Sequence, residues 1–187
     1  MKQVRAMFIV AGVTGLASLS GMSIALADDT VCIGRLGAIT VDNVVVPDGK
    51  RCTLRGTRVE GNVFVYTNAT LNASRVRVDG NIQAEGAAAV YVNPGSVVGG
   101  NIQIKQGGAA RIKEVRIDGD LQFEENNRAL RAIDNQIGGN LQAWKNTGGL
   151  TIAYNVIAEN LQCKENTPPP QGRDNVAGDK EDQCRNL

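Results

Sequence analysis

The chain has 187 residues, 21% of them charged and 42% apolar, with 20 basic against 19 acidic side chains and no histidine. That length suits one domain able to bury a core of its own. The near-balance of charge leaves no overall basic field of the kind nucleic acid or anionic lipid recruits, and the missing histidine removes a ligand from the common zinc sets.

The first 27 residues read as a signal peptide. Lys2 and Arg5 form a short basic start, Met7 to Leu26 is uncharged and largely apolar, and Ala25-Leu26-Ala27 places small residues where a signal peptidase reads. A retained membrane anchor is the competing reading. Against it, Gly12, Gly15, Gly21 and four Ser/Thr residues dilute the apolar run, and Asp28-Asp29 follow at once. Cleavage after Ala27 is therefore expected, with residues 28–187 as a single mature domain, no membrane span, and a secreted or periplasmic location. It removes Lys2 and Arg5 and no acid, leaving 18 basic against 19 acidic side chains, a net charge of −1.

From residue 40 onward a unit recurs. Val59-Glu60-Gly61-Asn62-Val63-Phe64-Val65 returns as Val78-Asp79-Gly80-Asn81-Ile82-Gln83-Ala84 and as Val98-Gly99-Gly100-Asn101-Ile102-Gln103-Ile104. Further copies centre on Asp120, Asn140 and Asn160, with degenerate ones at Asn43 and Asp179; the eight positions are separated by 19, 19, 20, 19, 20, 20 and 19 residues. A leucine-rich repeat has a similar period but needs several leucines and a helical stretch in each unit. These units carry instead two or three short β-like runs broken by Gly, Asn and Asp, which predicts an all-β, right-handed parallel β-helix of about eight coils.

Taking the Asn as position zero, the aliphatic residues at −3 and +1 face inward, and alternation keeps +3 inside and sends −4, −2, +2 and +4 outward. A further inward run carries Leu54, Leu71, Val90 with Val92, Ala110 with Ile112, Leu130, and Leu150 with Ile152. The Gly-Asn pair reads as a sharp turn, Gly being free to take positive φ and Asn entering the left-handed region readily. Coils stack about 4.8 Å apart, so Asn43, Asn62, Asn81, Asn101, Asp120, Asn140, Asn160 and Asp179 are expected to bond to one another as a structural ladder.

The outward positions form stripes. Position +2 carries Gln83, Gln103, Gln122, Gln142 and Gln162 in succession; position +4 carries Tyr66, Glu85, Lys105, Glu124, Trp144 and Lys164. Two readings of these columns stay open. In one, Gln stacks on Gln and Lys105 pairs with Glu85 and Glu124, exposed contacts worth about 0–1 kcal/mol each. In the other, the glutamine stripe and Trp144 form a binding surface for an extended polysaccharide, the amides meeting hydroxyls and the indole serving as a stacking plate. Phe64 and Phe123 read as packing residues, Phe64 beneath an N-terminal cap. Two sequons, Asn68-Ala69-Thr70 and Asn72-Ala73-Ser74, read as unmodified turns.

Glu60, Asp79 and Asp118 share a face with Arg58, Arg77 and Arg116, as a regular stripe without an insertion loop to build a cleft. Polysaccharide lyases and hydrolases need clustered carboxylates or a base beside bound metal. No catalytic, cofactor-binding or metal-ligating residue is therefore assigned, Asp118 with Asp120 being the nearest approach to a weak cation pair.

All four cysteines follow residue 27, an even count that in an exported chain favours disulfides. Cys32 and Cys52 are 20 residues apart and Cys163 and Cys184 are 21 apart, each about one coil, which stacks the partners within bridging distance. Cys32–Cys52 and Cys163–Cys184 are the expected bridges. They would staple both ends of the solenoid, with Lys180 replacing an inward aliphatic and Pro168-Pro169-Pro170 interrupting the last turn.

The closing stretch Asn160-Leu161-Gln162-Cys163-Lys164-Glu165-Asn166-Thr167-Pro168-Pro169-Pro170, followed by Asn175 to Cys184, resembles the C-terminal signature of a group of uncharacterised secreted bacterial proteins whose repeats also read V-x-G-N-[IL]-Q. The resemblance implies the β-helix and the C-terminal disulfide, and no assigned activity. The repeat is also superficially similar to that of bactofilins, cytosolic β-helix polymers with open ends; an export signal and stapled ends depart from them. The expected function is that of a non-catalytic, monomeric structural or interaction module of the envelope or extracellular space, its partner a polysaccharide or another envelope protein and not nucleic acid. A polysaccharide-binding protein is the second reading, and a lyase or hydrolase the third.

Overall fold

Each 19–20-residue unit holds three short runs whose alternate side chains are aliphatic, and three such runs can bury those side chains only by bending around a common axis. The computed structural model describes residues 28–187, and the signal-peptide reading lies outside the described residues. The chain winds as a parallel β-helix in which each of the first seven coils gives one strand to each of three sheets, as in Ile102–Lys105, Ala109–Lys113 and Val115–Ile117. Sheet I has nine strands, from Asp29–Val31 to Asp179–Asp182; sheet II has eight, from Gly34–Leu36 to Gln171–Arg173; sheet III has seven, from Thr40–Val41 to Val156–Ile157. That makes about eight turns.

The inward columns are those the alternation predicts. In sheet I the register runs Val63, Ile82, Ile102, Leu121, Leu141 and Leu161, all fully buried. Phe123 lies in the core at the +3 position, in register with Ile104 and Ala143. Among the described residues no cap lies over Phe64, which is half-buried on the outward side of sheet I between Val45 and Gln83.

The corner from sheet III to sheet I differs from its expected form. Gly61, Gly80, Gly100, Gly119 and Gly139 do not take positive φ, nor do the ladder asparagines. Glycine is required there by crowding: a Cβ on Gly80 would lie 2.6 Å from both Asn62 Oδ1 and the Gly61 carbonyl oxygen. Those atoms are fixed by hydrogen bonds, Asn62 Oδ1 accepting from the Asn81 N–H at 2.9 Å and the Gly61 carbonyl from the Gly80 N–H at 2.9 Å. Gly80→Ala is therefore expected to lower stability by about 2 kcal/mol through overpacking, read as a shift in the urea midpoint. The ladder runs from Asn43 to Asn160, each backbone N–H donating to the side-chain oxygen one coil before, as in Asn101 N to Asn81 Oδ1 and Asp120 N to Asn101 Oδ1, both 2.8 Å, while Asp179 stands outside it and its Oδ1 accepts from the Lys180 N–H at 2.7 Å.

The left-handed residues sit at the other two corners. Gln106, Glu125, Lys145 and Glu165 turn the chain from sheet I to sheet II, and Glu114, Asp134, Tyr154 and Asp174 turn it from sheet II to sheet III, all with φ between 50° and 61°. Each such non-glycine residue costs roughly 1 kcal/mol. In the C-terminal half, the next residue is a buried asparagine that offsets this cost. Asn126, Asn146 and Asn166 stack under one corner and Asn135, Asn155 and Asn175 under the other, each no more than 3% exposed. Asn146 is typical: its Oδ1 accepts from Asn126 N and Nδ2, both at 3.0 Å, and its Nδ2 donates to the Phe123 carbonyl at 3.0 Å and to Asn166 Oδ1 at 2.9 Å. Among the described residues no buried side-chain polar atom lacks a partner.

Both disulfides form between neighbouring coils, Cys32–Cys52 with Cα atoms 5.5 Å apart and Cys163–Cys184 with 5.3 Å. The two ends are nevertheless unlike. At the C-terminal end Lys180, in register with Leu161, donates from Nζ to the Leu187 carbonyl at 2.6 Å, and Gln183 terminates the asparagine ladder by accepting from Asn166 N at 2.8 Å. The edge strands at both ends pair on one side only among the described residues, and at the N-terminal end Val31, Ile33 and Ile39 are exposed. Both ends are stapled as expected, and they differ in the polar contacts that accompany the bridge.

Candidate functional site

Because the repeat keeps register, each outward column of a sheet is a row of side chains spaced about 4.8 Å apart. On sheet I the glutamines form a continuous chain of amide hydrogen bonds. Gln103 Nε2 donates to Gln122 Oε1 at 3.0 Å, Gln122 to Gln142 at 3.0 Å, Gln142 to Gln162 at 2.8 Å, and Gln162 to the Glu181 carboxylate at 3.1 Å. Within the row Gln122 and Gln142 each donate once and accept once, which leaves each one N–H and one lone pair for a ligand. Gln83 is in register with Gln103 but stands outside the chain of bonds.

Trp144, 39% exposed, stands beside this row over a depression of about 360 Å³ that also touches Glu124, Gln162, Lys164 and Glu181. A second depression of about 300 Å³ lies toward the N-terminal end, between Tyr66, Phe64, Gln83 and Lys105. The two aromatics thus serve separate hollows on one face. Lys105 pairs with Glu124 at 2.9 Å, and the expected pair with Glu85 does not form.

On sheet III the carboxylates hold arginines. Arg58 reaches Asp79 at 2.6 Å and Glu60 at 3.5 Å, Arg77 reaches Asp79 at 3.0 Å, and Arg116 reaches Asp118 at 2.8 Å. The hydrogen bond to Asp118 and its charge raise the Arg116 guanidinium above its ordinary value. Asp118 and Asp120 do not converge: the first holds Arg116, while Asp120 Oδ1 accepts from the Asn140 N–H at 2.7 Å. Of the two sequons, Asn68 lies in a turn, but Asn72 lies in the strand Thr70–Ser74, where its Oδ1 accepts from Asn93 Nδ2 at 2.8 Å.

Charge is divided between faces in a way the whole-chain balance conceals. The strands of sheet II carry Arg35, Arg51, Arg55, Arg111, Lys113, Arg131 and Arg173 and no carboxylate. Those of sheet I carry Asp29, Glu85, Glu124, Asp179, Glu181 and Asp182 against Lys105, Lys164 and Lys180. The reading that no basic field remains is thus corrected: opposite charges cancel in the sum but lie on different sides of the helix.

Comparison with protein-family models, curated proteins and solved structures gave no match. The geometry alone carries the functional reading. Two features escape the repeat-based reading of the sequence. The buried asparagines were visible as a 20-residue step, Asn126-Asn146-Asn166 and Asn135-Asn155-Asn175, lying outside the recurring Gly-Asn unit. The basic face was visible only after outward parity is assigned to the second strand of each coil, where the arginines recur irregularly.

Proposed function

We propose that this chain is a non-catalytic, exported β-helix acting as an interaction module of the cell envelope or extracellular space, of the secreted kind its repeats resemble. The observation that carries the reading is the regularity of the outward faces. Glu60, Asp79 and Asp118, the carboxylates best placed for hydrolytic chemistry, are spread along a stripe and hold arginines. A glycosidase needs two carboxylates facing one bond. The two disulfides support an oxidising location.

A neutral polysaccharide bound along sheet I is the second reading, favoured by the depression at Trp144 beside the glutamine row. One experiment tests both. The protein is incubated with soluble and insoluble polysaccharides, and bound protein and released sugar are recorded beside a Trp144→Ala, Gln122→Ala variant. The expected result is no sugar release from any polymer; release would make the chain an enzyme. Binding of a neutral polymer that the variant loses would select the second reading.

A further inference from the structure

The strands of sheet II carry seven basic side chains and no carboxylate. Of its seven basic side chains, Lys113 pairs with Glu114 at 2.9 Å and Arg173 with Asp174 at 3.6 Å, both carboxylates being supplied by the adjoining corner. Arg35, Arg51, Arg55, Arg111 and Arg131 have no carboxylate within ion-pair distance among the described residues, and all five are exposed.

Their arrangement is set by the register. Arg35, Thr53, Asn72, Tyr91, Arg111 and Arg131 occupy one column, on consecutive rungs. Arg51 and Arg55 flank Thr53 on its own strand and point to the same side. Arg111 stands directly opposite Arg131 on the neighbouring strand, a like-charge apposition that destabilises a sheet. The same outward column accepts the uncharged Thr53, Asn72 and Tyr91 on the rungs between. A counter-charge from outside the chain would relieve the repulsion.

Between the two arginine groups lies a shallow depression of about 300 Å³, touched by Arg35, Arg55, Arg111, Thr53, Asn72 and Ser74. Its walls are ordered. Arg111 donates from Nη2 to Asn93 Oδ1 at 2.9 Å and lies over the Tyr91 ring at 5.6 Å, and Asn93 Nδ2 bonds to Asn72 Oδ1. A guanidinium held as that of Arg111 is matches carboxylate geometry, and the intervening hydroxyls and amides match sugar hydroxyls.

We propose that the sheet II face binds an acidic linear polysaccharide, one carrying carboxylates along its chain, laid along the rungs between Arg35 and Arg131. This rests on the reading of the protein as a non-catalytic interaction module and places its binding face away from the glutamine row. A polyanion of sugars fits this face better than the other polyanions. Single-stranded nucleic acid calls for several aromatic platforms, and the column offers Tyr91 alone. An anionic lipid surface favours apolar side chains able to insert beside the charges, and the residues between the arginines are Thr53, Asn72 and Ser74.

The test is a titration of the protein with polygalacturonate, beside a neutral dextran of similar length, duplex DNA, and vesicles of mixed zwitterionic and anionic lipid. An Arg35→Gln, Arg55→Gln, Arg111→Gln variant removes three charges from sheet II. An Arg58→Gln, Arg77→Gln, Arg116→Gln variant removes three from sheet III, so that the net charge falls equally. Circular dichroism of both variants checks the fold. Polygalacturonate is expected to bind in preference to dextran, to weaken as salt is raised, and to lose about tenfold or more affinity in the sheet II variant only. Equal losses in the two variants, no binding, or tighter binding to DNA or vesicles would each overturn the proposal. Sugar release with binding intact would instead overturn the non-catalytic reading and leave the face in place.

Discussion

Replacing Asn146 by leucine is expected to lower the unfolding free energy by about 3–5 kcal/mol, although the two side chains are close in size. Leucine can fill the volume but cannot serve the groups that converge there. Asn126 would lose the acceptor for its N–H and its Nδ2, the Phe123 carbonyl would lose a donor, and Asn166 Oδ1 would lose the Nδ2 that reaches it. All of these lie where exposure is near zero, so water cannot replace the missing partner. The strained corner compounds the effect, because Lys145 holds φ at 53° immediately before Asn146 and the side-chain bonds keep it there. Asn62→Ala provides the contrast. Asn62 is half-buried and its Oδ1 serves Asn81 N and Nδ2 alone, so a loss of about 1 kcal/mol is expected. Equilibrium denaturation by guanidinium, followed by circular dichroism, measures both. If the two substitutions cost the same, the interior ladder does not hold the corners.

This difference explains which parts of the architecture could be read from the chain. The period, the three inward columns and the cysteine pairing follow from spacing alone, since a residue 19 or 20 positions on must stack on its equivalent. Corner chemistry does not follow from spacing. Gly80 and Gln106 both occupy corners, yet glycine is needed at the first to clear a neighbouring carbonyl, while the second takes positive φ without being glycine. The reason lies in side-chain and backbone atoms of neighbouring coils, which a local reading of turn propensity does not contain. The same holds for the candidate faces. The glutamine row was legible because one residue type recurs at one position, whereas the basic face mixes Arg35, Arg51, Arg55, Arg111 and Arg131 over three columns and is hidden by the acids of sheet I in the total charge.

Removing the two disulfides is expected to have unequal consequences at the two ends. A bridge closing a loop of about 20 residues contributes roughly 3 kcal/mol by constraining the unfolded chain, so the two estimates are alike. The folded context is not. At the C-terminal end Gln183 bonds to Asn166 at three points, so the last turn keeps contacts to the penultimate coil after Cys163–Cys184 is cut, and Lys180 ties the Leu187 carbonyl back within that turn. At the N-terminal end the first coil rests on the second through pairing of Asp29–Val31, Gly34–Leu36 and Thr40–Val41, through the Thr57 hydroxyl donating to the Gly37 carbonyl at 2.7 Å, and through an exposed hydrogen bond that Asn43 Nδ2 donates to Asp29 Oδ1 at 3.1 Å. Its side chains there, Val31, Ile33 and Ile39, bury little. Cys32→Ser, Cys52→Ser should therefore release the first coil to rapid hydrogen exchange across residues 28–41 while the third coil onward stays protected, and Cys163→Ser, Cys184→Ser should raise exchange in the last coil by a smaller factor. Solenoids can open locally from an end because each coil touches only its neighbours. Exchange unchanged at the N-terminal end in the first variant would mean that strand pairing, and not the bridge, holds that coil. A larger effect in the second variant would mean that the polar closure built from Lys180 and Gln183 depends on the disulfide that positions it.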